Sequence, residues 1–453
     1  MVCRQCKVTS GASEFFGLPD FFQKKAVTLY NNLPPSLLAP KKFSMKILHT
    51  ADWHLGNVFH GHDRRDEHGH FLNWLADVLE ERQPDALLIS GDVFDSPNPS
   101  AAAEQMFYDF LQRATELVEG LQIVIIAGNH DSAGRLEAPA SLLSTHNIYI
   151  KGLVHLTEQG EPDYANFLIP LHRRGEAEAS MLCFALPYLR AADWPGGTTA
   201  DGLRHYFKRL HQLAAKGPYA KLPRIALAHF YAQGAEISAE GHSERLVVGG
   251  QDCVEAAVMG EGFCYVALGH IHKQQKVAEG IYYAGSALPM SFSERGYRHG
   301  VQWVEVESGS VPHTFHIGYS PLRELLTIPS HGAASVAEVQ SLLEELPVSK
   351  KKDDGSTWPY LEIRVEESQP EPGLMQRVSE ILEDRAVRFC RMVRQTHLQG
   401  AESETPIVSL ESLRELQPLD MARNLFENKF HTSMPEELVQ RFLEAENEAR
   451  QEP

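Results

Sequence analysis

The sequence predicts an α/β fold, and three observations carry that prediction. From Met45 onward, short apolar runs of strand length alternate with stretches of helical periodicity. Asp, Asn and His stand immediately beyond several of those runs, and Gly91 and Gly128 introduce two of these turns. Strands separated by helices argue for a sheet covered by helices on its faces, and such folds place their sites just outside the carboxyl ends of the strands.

Taken in order, Lys46-Ile47-Leu48-His49 reads as a short buried strand that ends in Thr50-Ala51-Asp52-Trp53-His54. Residues 70–82 carry Phe71, Leu75, Val78 and Leu79 at helical spacing. Residues 85–90 form a second strand running into Gly91-Asp92, and a helix over 101–118 leads to a strand over 122–127 and then Gly128-Asn129-His130-Asp131. Further strands fall at 180–186, 224–228, 265–268 and 280–283. After Tyr319 the pattern changes to strand 323–328, helix 335–346, strand 359–366, helix 373–383 and strand 386–394, a small α+β module whose Lys350–Gly355 stretch reads as a solvated loop, with a basic DNA-facing patch as the alternative. A polar linker at 399–404 precedes helical segments over 410–430 and 435–450. The second places Leu438, Phe442 and Ala445 on one face, a docking pattern for which packing on its own domain is the alternative. Residues 1–44 read as an extension outside the fold, poorly ordered or a mis-called start, because Met45 directly precedes the first clean strand. The Cys3-x-x-Cys6 pair there lacks a second pair at zinc-ribbon spacing.

Composition bounds the function. A chain of 453 residues calls for two or three domains, and 43% hydrophobic with 23% charged residues is globular rather than disordered. No apolar run reaches the roughly 18–20 residues of a spanning helix. Lys and Arg number 42 against 60 Asp and Glu, a net charge of −18, so binding nucleic acid requires a local patch, a bound cation or a partner. Six scattered cysteines form no disulfide framework and point to a reducing, cytoplasmic compartment. The 22 histidines, many beside Asp, Asn and Gly, point to metal chemistry.

Five segments carry that chemistry, each at the end of a predicted strand: Asp52-Trp53-His54, Gly91-Asp92, Gly128-Asn129-His130-Asp131, Ala228-His229 and Gly269-His270-Ile271-His272. Together they offer two carboxylates, one amide oxygen and four imidazoles, a thiolate-free donor set that suits Mn²⁺, Fe²⁺ or Zn²⁺ in a catalytic role. In an extended segment residues i and i+2 project to the same side, so both members of Asp-x-His or His-x-His can reach one metal cluster. Gly91 and Gly128 fit sharp turns where a side chain would crowd the site.

In this order the five segments resemble the signature of the calcineurin-like metallophosphoesterases, from Met45 to about Val311. More narrowly, Met45–Gly56, Gly91–Asp95, Tyr283–Ser286 and Ser291–Glu294 resemble the nuclease subunits of bacterial SbcCD complexes. The resemblance implies a sandwich of two sheets flanked by helices over 45–319, a small α+β capping domain over 320–398, and helices over 405–453 that dock on an SbcC-like SMC-type ATPase in a heterotetramer. It implies two divalent cations, Mn²⁺ preferred, bridged by Asp92, with Asp52, His54 and His272 on one and Asn129, His229 and His270 on the other. A carboxylate has two oxygens and can bridge cations about 3.5–4 Å apart. It also implies that His130 assists the leaving 3′ oxygen, with Asp131 the natural partner to orient it. The implied substrates are duplex DNA ends, cut 3′ to 5′, and hairpins or single strands, cut internally. Archaeal and eukaryotic relatives carry His where this chain has Asp95, so no role carries over to that position.

Two other readings are a stand-alone phosphoesterase acting on a small nucleotide or phosphoprotein, which the chain after Tyr319 disfavours, and a non-enzymatic scaffold, which the full ligand set disfavours. Among the remaining histidines, His49 reads as a satisfied core residue. His60, His62, His68 and His70 read as a polar loop, in which Arg64 and Arg65 are candidate phosphate contacts.

Overall fold

The computed structural model describes residues 44–194, 196–236, 254–259, 261–307, 311–350, 354–367 and 371–396, with Phe426, Met434, Pro435, Leu438, Val439, Arg441 and Phe442. Of the expected 1–44 extension, residues 1–43 lie outside the described residues and Ser44 instead opens the strand Ser44–Thr50; the 399–404 linker and almost all of the two C-terminal helical segments also lie outside them. The chain divides into two compact units, residues 1–367 with 371–395, and residues 368–370 with 396–453. Of the second unit, Phe426, Leu438, Val439, Arg441 and Phe442 are helical.

The apolar runs are strands buried on both faces, which is why they read as continuous hydrophobic stretches. Side chains alternate along a strand, so each run feeds two cores. Ile47, Leu88 and Val124 meet Cys183, Ile225 and Ala267 between two sheets. Their neighbours Leu48, Leu87 and Ile123 pack under the helices Arg65–Arg82 and Ala101–Leu117. On the far side, Leu182, Ala226 and Val266 pack under the helix Thr199–Lys216. The result is a helix–sheet–sheet–helix sandwich.

The first sheet has the order His313–Gly318, Gly300–Glu307, Ser44–Thr50, Ala86–Ser90, Gln122–Ile126, Ile148–Lys151. Its last four strands run parallel and its first two pair antiparallel. The second has the order Gln275–Ala278, Ile281–Tyr283, Phe263–Gly269, Arg224–His229, Ala179–Ala185, Leu168–His172, parallel across its four central strands. The strands Ser44–Thr50, Ala86–Ser90, Gln122–Ile126, Arg224–His229 and Phe263–Gly269 end in the five polar segments. His49 lies between the sheets, fully buried, with Nδ1 2.9 Å from the Tyr265 hydroxyl.

Several elements were not evident in the sequence: the strands Ile148–Lys151, Leu168–His172, Gln275–Ala278, Gly300–Glu307 and His313–Gly318, and the helix Thr199–Lys216. Most of these strands lie at or next to sheet edges, where polar residues such as Gln302 and His316 interrupt the apolar run. The first helix starts at Arg65, so His68 and His70 are helical rather than in a loop, while His62 lies in the short hairpin Val58–Phe59/His62–Asp63. Asp66 and Glu67 in its first turn complement the helix dipole, a start signal that apolar spacing does not register.

The strands Leu325–Ile328, Ala334–Ser335, Tyr360–Glu367 and Arg388–Thr396 form a third sheet, packed with the helices Val336–Glu344 and Leu374–Leu382 around Val339, Leu361, Ile363 and Val378. It meets the sandwich through an apolar cluster, Phe59, Phe292 and Tyr360, and through a charge cluster with a buried centre. Glu67 accepts hydrogen bonds from Arg64 Nε (3.0 Å), Arg64 Nη2 (3.1 Å) and the Tyr360 hydroxyl (2.7 Å). Arg323 lies 3.3 Å from Glu67 and pairs with Asp66. Arg64 and Glu67 are fully buried, so Arg64 is a tie between modules and not a phosphate contact. Arg65 is exposed and pairs with Asp63.

Removing one partner of a buried pair strands the other charge, at a cost of about 3–5 kcal/mol. Arg64→Ala should therefore lose about that much in urea denaturation, whereas Arg65→Ala should change stability by less than about 0.5 kcal/mol. Equal, small effects at both positions would contradict the cluster's role.

Candidate metal centre

The loops that follow the parallel strands are held in conformations that ordinary side chains avoid. Asp52, His54, Asp92 and His270 have φ of 52°, 47°, 49° and 99°, in or near the left-handed region that costs non-glycine residues energy. Backbone bonds hold the first two loops in place: Asp52 N donates to Gly91 O (3.1 Å), His54 N to Asp92 O (3.0 Å) and Leu55 N to Val93 O (2.9 Å). Glycine provides the clearance. A Cβ on Gly128 would lie 2.1 Å from Asp92 Oδ1, and one on Gly91 would lie 2.3 Å from His229 Nδ1.

Donor atoms of Asp52, His54 and His272 lie within 4.8 Å of one another, as do those of Asp92, His229 and His270, and those of His54, Asp92 and His130. Asn129 joins the second group, its Oδ1 2.9 Å from both His229 Nε2 and His270 Nδ1. Asp92 lies between groups, 3.3 Å from His229 Nε2 and 3.8 Å from His54 Nε2. All seven expected ligands are thus brought together, from both sheets. Asp52, His54, Asp92, His229, His270 and His272 are buried, whereas Asn129 and His130 are half-buried and form the open side.

The donor set fits divalent cations. His54 and His272 point Nε2 at each other across 3.3 Å, an arrangement of two nitrogens that a cation between them satisfies. His272 turns Nδ1 to Glu294 Oε1 (3.1 Å), and His229 donates from Nδ1 to Ser90 O (2.8 Å). Such partners fix the tautomer that leaves the opposite nitrogen to a metal. Burial raises the pKa of Asp52, against the pull of His229 and His272. Burial would depress His229, but Asp92 and Asp52 overcome it and raise its pKa to about 9.

Asp131 departs from expectation. Its buried carboxylate accepts from the backbone amides of Gly128 (2.9 Å), Phe94 (2.9 Å) and Val93 (3.2 Å). Burial, and Asp92 after it, raise its pKa to about 6. Asp131 therefore splices the Asp92 and Asn129 loops and does not orient His130. The ring of His130 instead donates from Nδ1 to the backbone carbonyl of Asp95 (3.0 Å). Glu294, Tyr188 and Arg190 were not assigned from sequence. Tyr188 sets its ring 6.3 Å from His229, and Arg190 donates to Asp131 O (3.1 Å). Only Glu294 had a signal, the Ser291–Glu294 segment.

Comparison with known proteins agrees with this geometry. The calcineurin-like phosphoesterase family matches residues 45–274, and a family described as the type 5 capsule protein repressor C-terminal domain matches residues 321–430. The chain is 36% identical over 334 residues to SbcD, the nuclease subunit of SbcCD, from Rhodobacter capsulatus, a match covering 71% of this chain and 81% of that protein. It belongs to the SbcD nuclease family. The Bacillus subtilis SbcD is 33% identical over 71% of this chain and 79% of its own length, and that of Escherichia coli K12 29% identical over 65% and 74%. The crystal structure of TT1561 of Thermus thermophilus aligns with a TM-score of 0.34 at 15% identity, over 60% of this chain and 99% of its own, too distant to bear on the site. Membership in the SbcD family makes this chain a hydrolase of the nuclease class. No helix among the described residues is long and apolar enough to cross a membrane.

His229 is protonated at neutral pH when no cation is bound, so a cation must expel that proton. Mn²⁺ affinity should therefore rise by about tenfold per pH unit from pH 7 towards 9. Calorimetric titration across that range checks this, and a flat affinity would contradict it.

Proposed function

We propose that this chain is the cytoplasmic, metal-dependent nuclease subunit of an SbcCD-type complex, cutting duplex DNA ends 3′ to 5′ and hairpins or single strands internally. The observation that carries the reading is the convergence of Asp52, His54, Asp92, Asn129, His229, His270 and His272 from two sheets at one edge, with His130 beside them. Those seven residues would hold two divalent cations, manganese by preference, with Asp92 shared. When bound, such a pair activates water and withdraws charge from the phosphodiester.

The chain's own residues supply the rest. Asn129 and His130 line the open side, so the scissile phosphate enters there. His130 commits Nδ1–H to the Asp95 carbonyl, and so its Nε2 is the nitrogen that delivers a proton to the leaving 3′ oxygen. The buried wall of Asp52, His54, His229, His270 and His272 excludes bulk water from the far side, which strengthens electrostatic interactions there. A net charge of −18 opposes DNA, which supports supply of much of the DNA affinity by an SMC-type ATPase partner. Residues 45–319 form the catalytic part, 320–398 the cap and 405–453 the docking segment for that partner.

End-labelled hairpin DNA in Mn²⁺, with and without the ATPase and ATP, tests this. Cleavage should appear with Mn²⁺ and vanish on chelation. His130→Ala should slow it by about 10²–10⁴-fold while Mn²⁺ binding persists. Rapid turnover of a small phosphodiester with hairpin DNA left intact would instead indicate a stand-alone phosphoesterase.

A further inference from the structure

The helix Thr199–Lys216 is an exception in an acidic chain. Residues 199–224 hold six Lys and Arg and one carboxylate, Asp201, whereas the whole chain has a net charge of −18. The helix buries Leu203, Tyr206, Phe207 and Leu210, and it exposes Arg204, Lys208, Arg209, Gln212 and Lys216. The other two long helices differ: Arg65–Arg82 exposes Asp77, Glu80 and Glu81, and Ala101–Leu117 exposes Asp109 and Glu116. Asp201 is occupied by the helix cap, accepting from the Thr198 N–H (3.1 Å) and hydroxyl (2.9 Å), and by Arg204 (2.8 Å). Lys208, Lys216 and Lys221 have no ion pair among the described residues.

The helix is tied to the rim of the metal centre. Arg190 donates to Asp131 O (3.1 Å), in the loop that carries Asn129 and His130, and three residues later Asp193 O accepts from the Tyr206 hydroxyl (2.6 Å). Gly202 lets the helix close onto Trp194, where a Cβ would lie 2.6 Å from the indole. The strands Ala179–Ala185 and Arg224–His229 are parallel neighbours, so the helix between them runs back from the edge that holds the site. Its cations therefore lead away from the metal centre. At 1.5 Å per residue, Arg204 to Lys216 spans about 18 Å, roughly five base-pair steps of duplex.

We propose that the exposed face of this helix is a track for the phosphate backbone of DNA, holding the part of the substrate that extends beyond the scissile end. This rests on the nuclease reading above. Charge complementarity points to a polyanion, and continuity with the rim of the metal centre points to the nucleic acid being cut there. Lys and Arg that neutralise phosphates release condensed counterions, so such binding is independent of sequence and steeply dependent on salt.

The test is binding of fluorescent duplex DNA by the full chain without the ATPase, in chelator so that nothing is cut, across a salt series. The triple variant Lys208→Gln, Arg209→Gln, Lys216→Gln should weaken binding by about 10–100-fold whatever the sequence, and reduce the slope of log affinity against log salt by about 2–3. Glutamine keeps the helix propensity of Lys and Arg. Gln212→Lys keeps the test open if the triple variant does not fold: it adds a cation between Lys208 and Lys216, and should tighten binding and steepen the slope by about 1. Hydrolysis of a small phosphodiester in Mn²⁺ should be unchanged in both. Absence of salt-dependent binding by wild type, or unchanged affinity and slope in the variants, would overturn the proposal. So would loss of ATPase binding with DNA binding intact, which would make the face a protein contact. Salt-dependent binding that responds to these variants, in a chain that cuts no DNA in Mn²⁺, would instead overturn the nuclease reading.

Discussion

Two aspartates with no solvent exposure, Asp52 and Asp92, stand side by side at the meeting edge of two sheets, and the rest of the structure is organised around that burial. An ionised carboxylate taken out of water without compensation is too costly for a marginally stable fold. Protonation is one escape, and the raised pKa of Asp52 shows the pressure towards it, with burial the main cause. The imidazoles of His54, His229 and His272, with backbone N–H groups, provide the other. His270 N, for example, donates to Asp52 at 2.9 Å. Positive charge from outside the chain would complete the balance, and would let so dense an array of Asp and His persist beside an apolar core.

The scaffold has to be stiff for that array to persist. Four ligands occupy backbone conformations that cost energy locally. Strands buried on both faces, with interleaved cores above and below, offset that cost. Bonds between loops keep the ligands from relaxing: the Asp52 and Asp92 loops pair along their backbones, and Asp131 splices the Asp92 loop to Gly128. The third sheet contributes through the same logic of buried charge, locking Tyr360 and Arg323 onto Glu67 and Arg64. Arg64 in turn donates to Pro289 O at 2.6 Å, at the start of the segment that carries Glu294.

The residues that cluster at the site were legible in the sequence because chemistry-bearing residues directly follow apolar runs, a local pattern that needs no knowledge of tertiary contacts. Gly91 and Gly128 were legible for the same reason. What escaped were features fixed by distant chain segments. Asp131 follows His130 in sequence and invites pairing with it, yet three amides from two loops claim its carboxylate. Arg64 has the charge of a phosphate contact, but its burial depends on Tyr360, nearly three hundred residues away. The edge strands were hidden by polar residues on their exposed stretches, and the first turn of the Arg65–Arg82 helix by the buried polar pair it serves.

The claim that matters most is that one shared aspartate sits between two cation sites. Anomalous diffraction from crystals grown with manganese measures this directly. The account predicts two peaks, both in contact with Asp92, one reached by Asp52, His54 and His272 and the other by Asn129, His229 and His270. A single peak, or peaks that leave Asp92 unliganded, would contradict it.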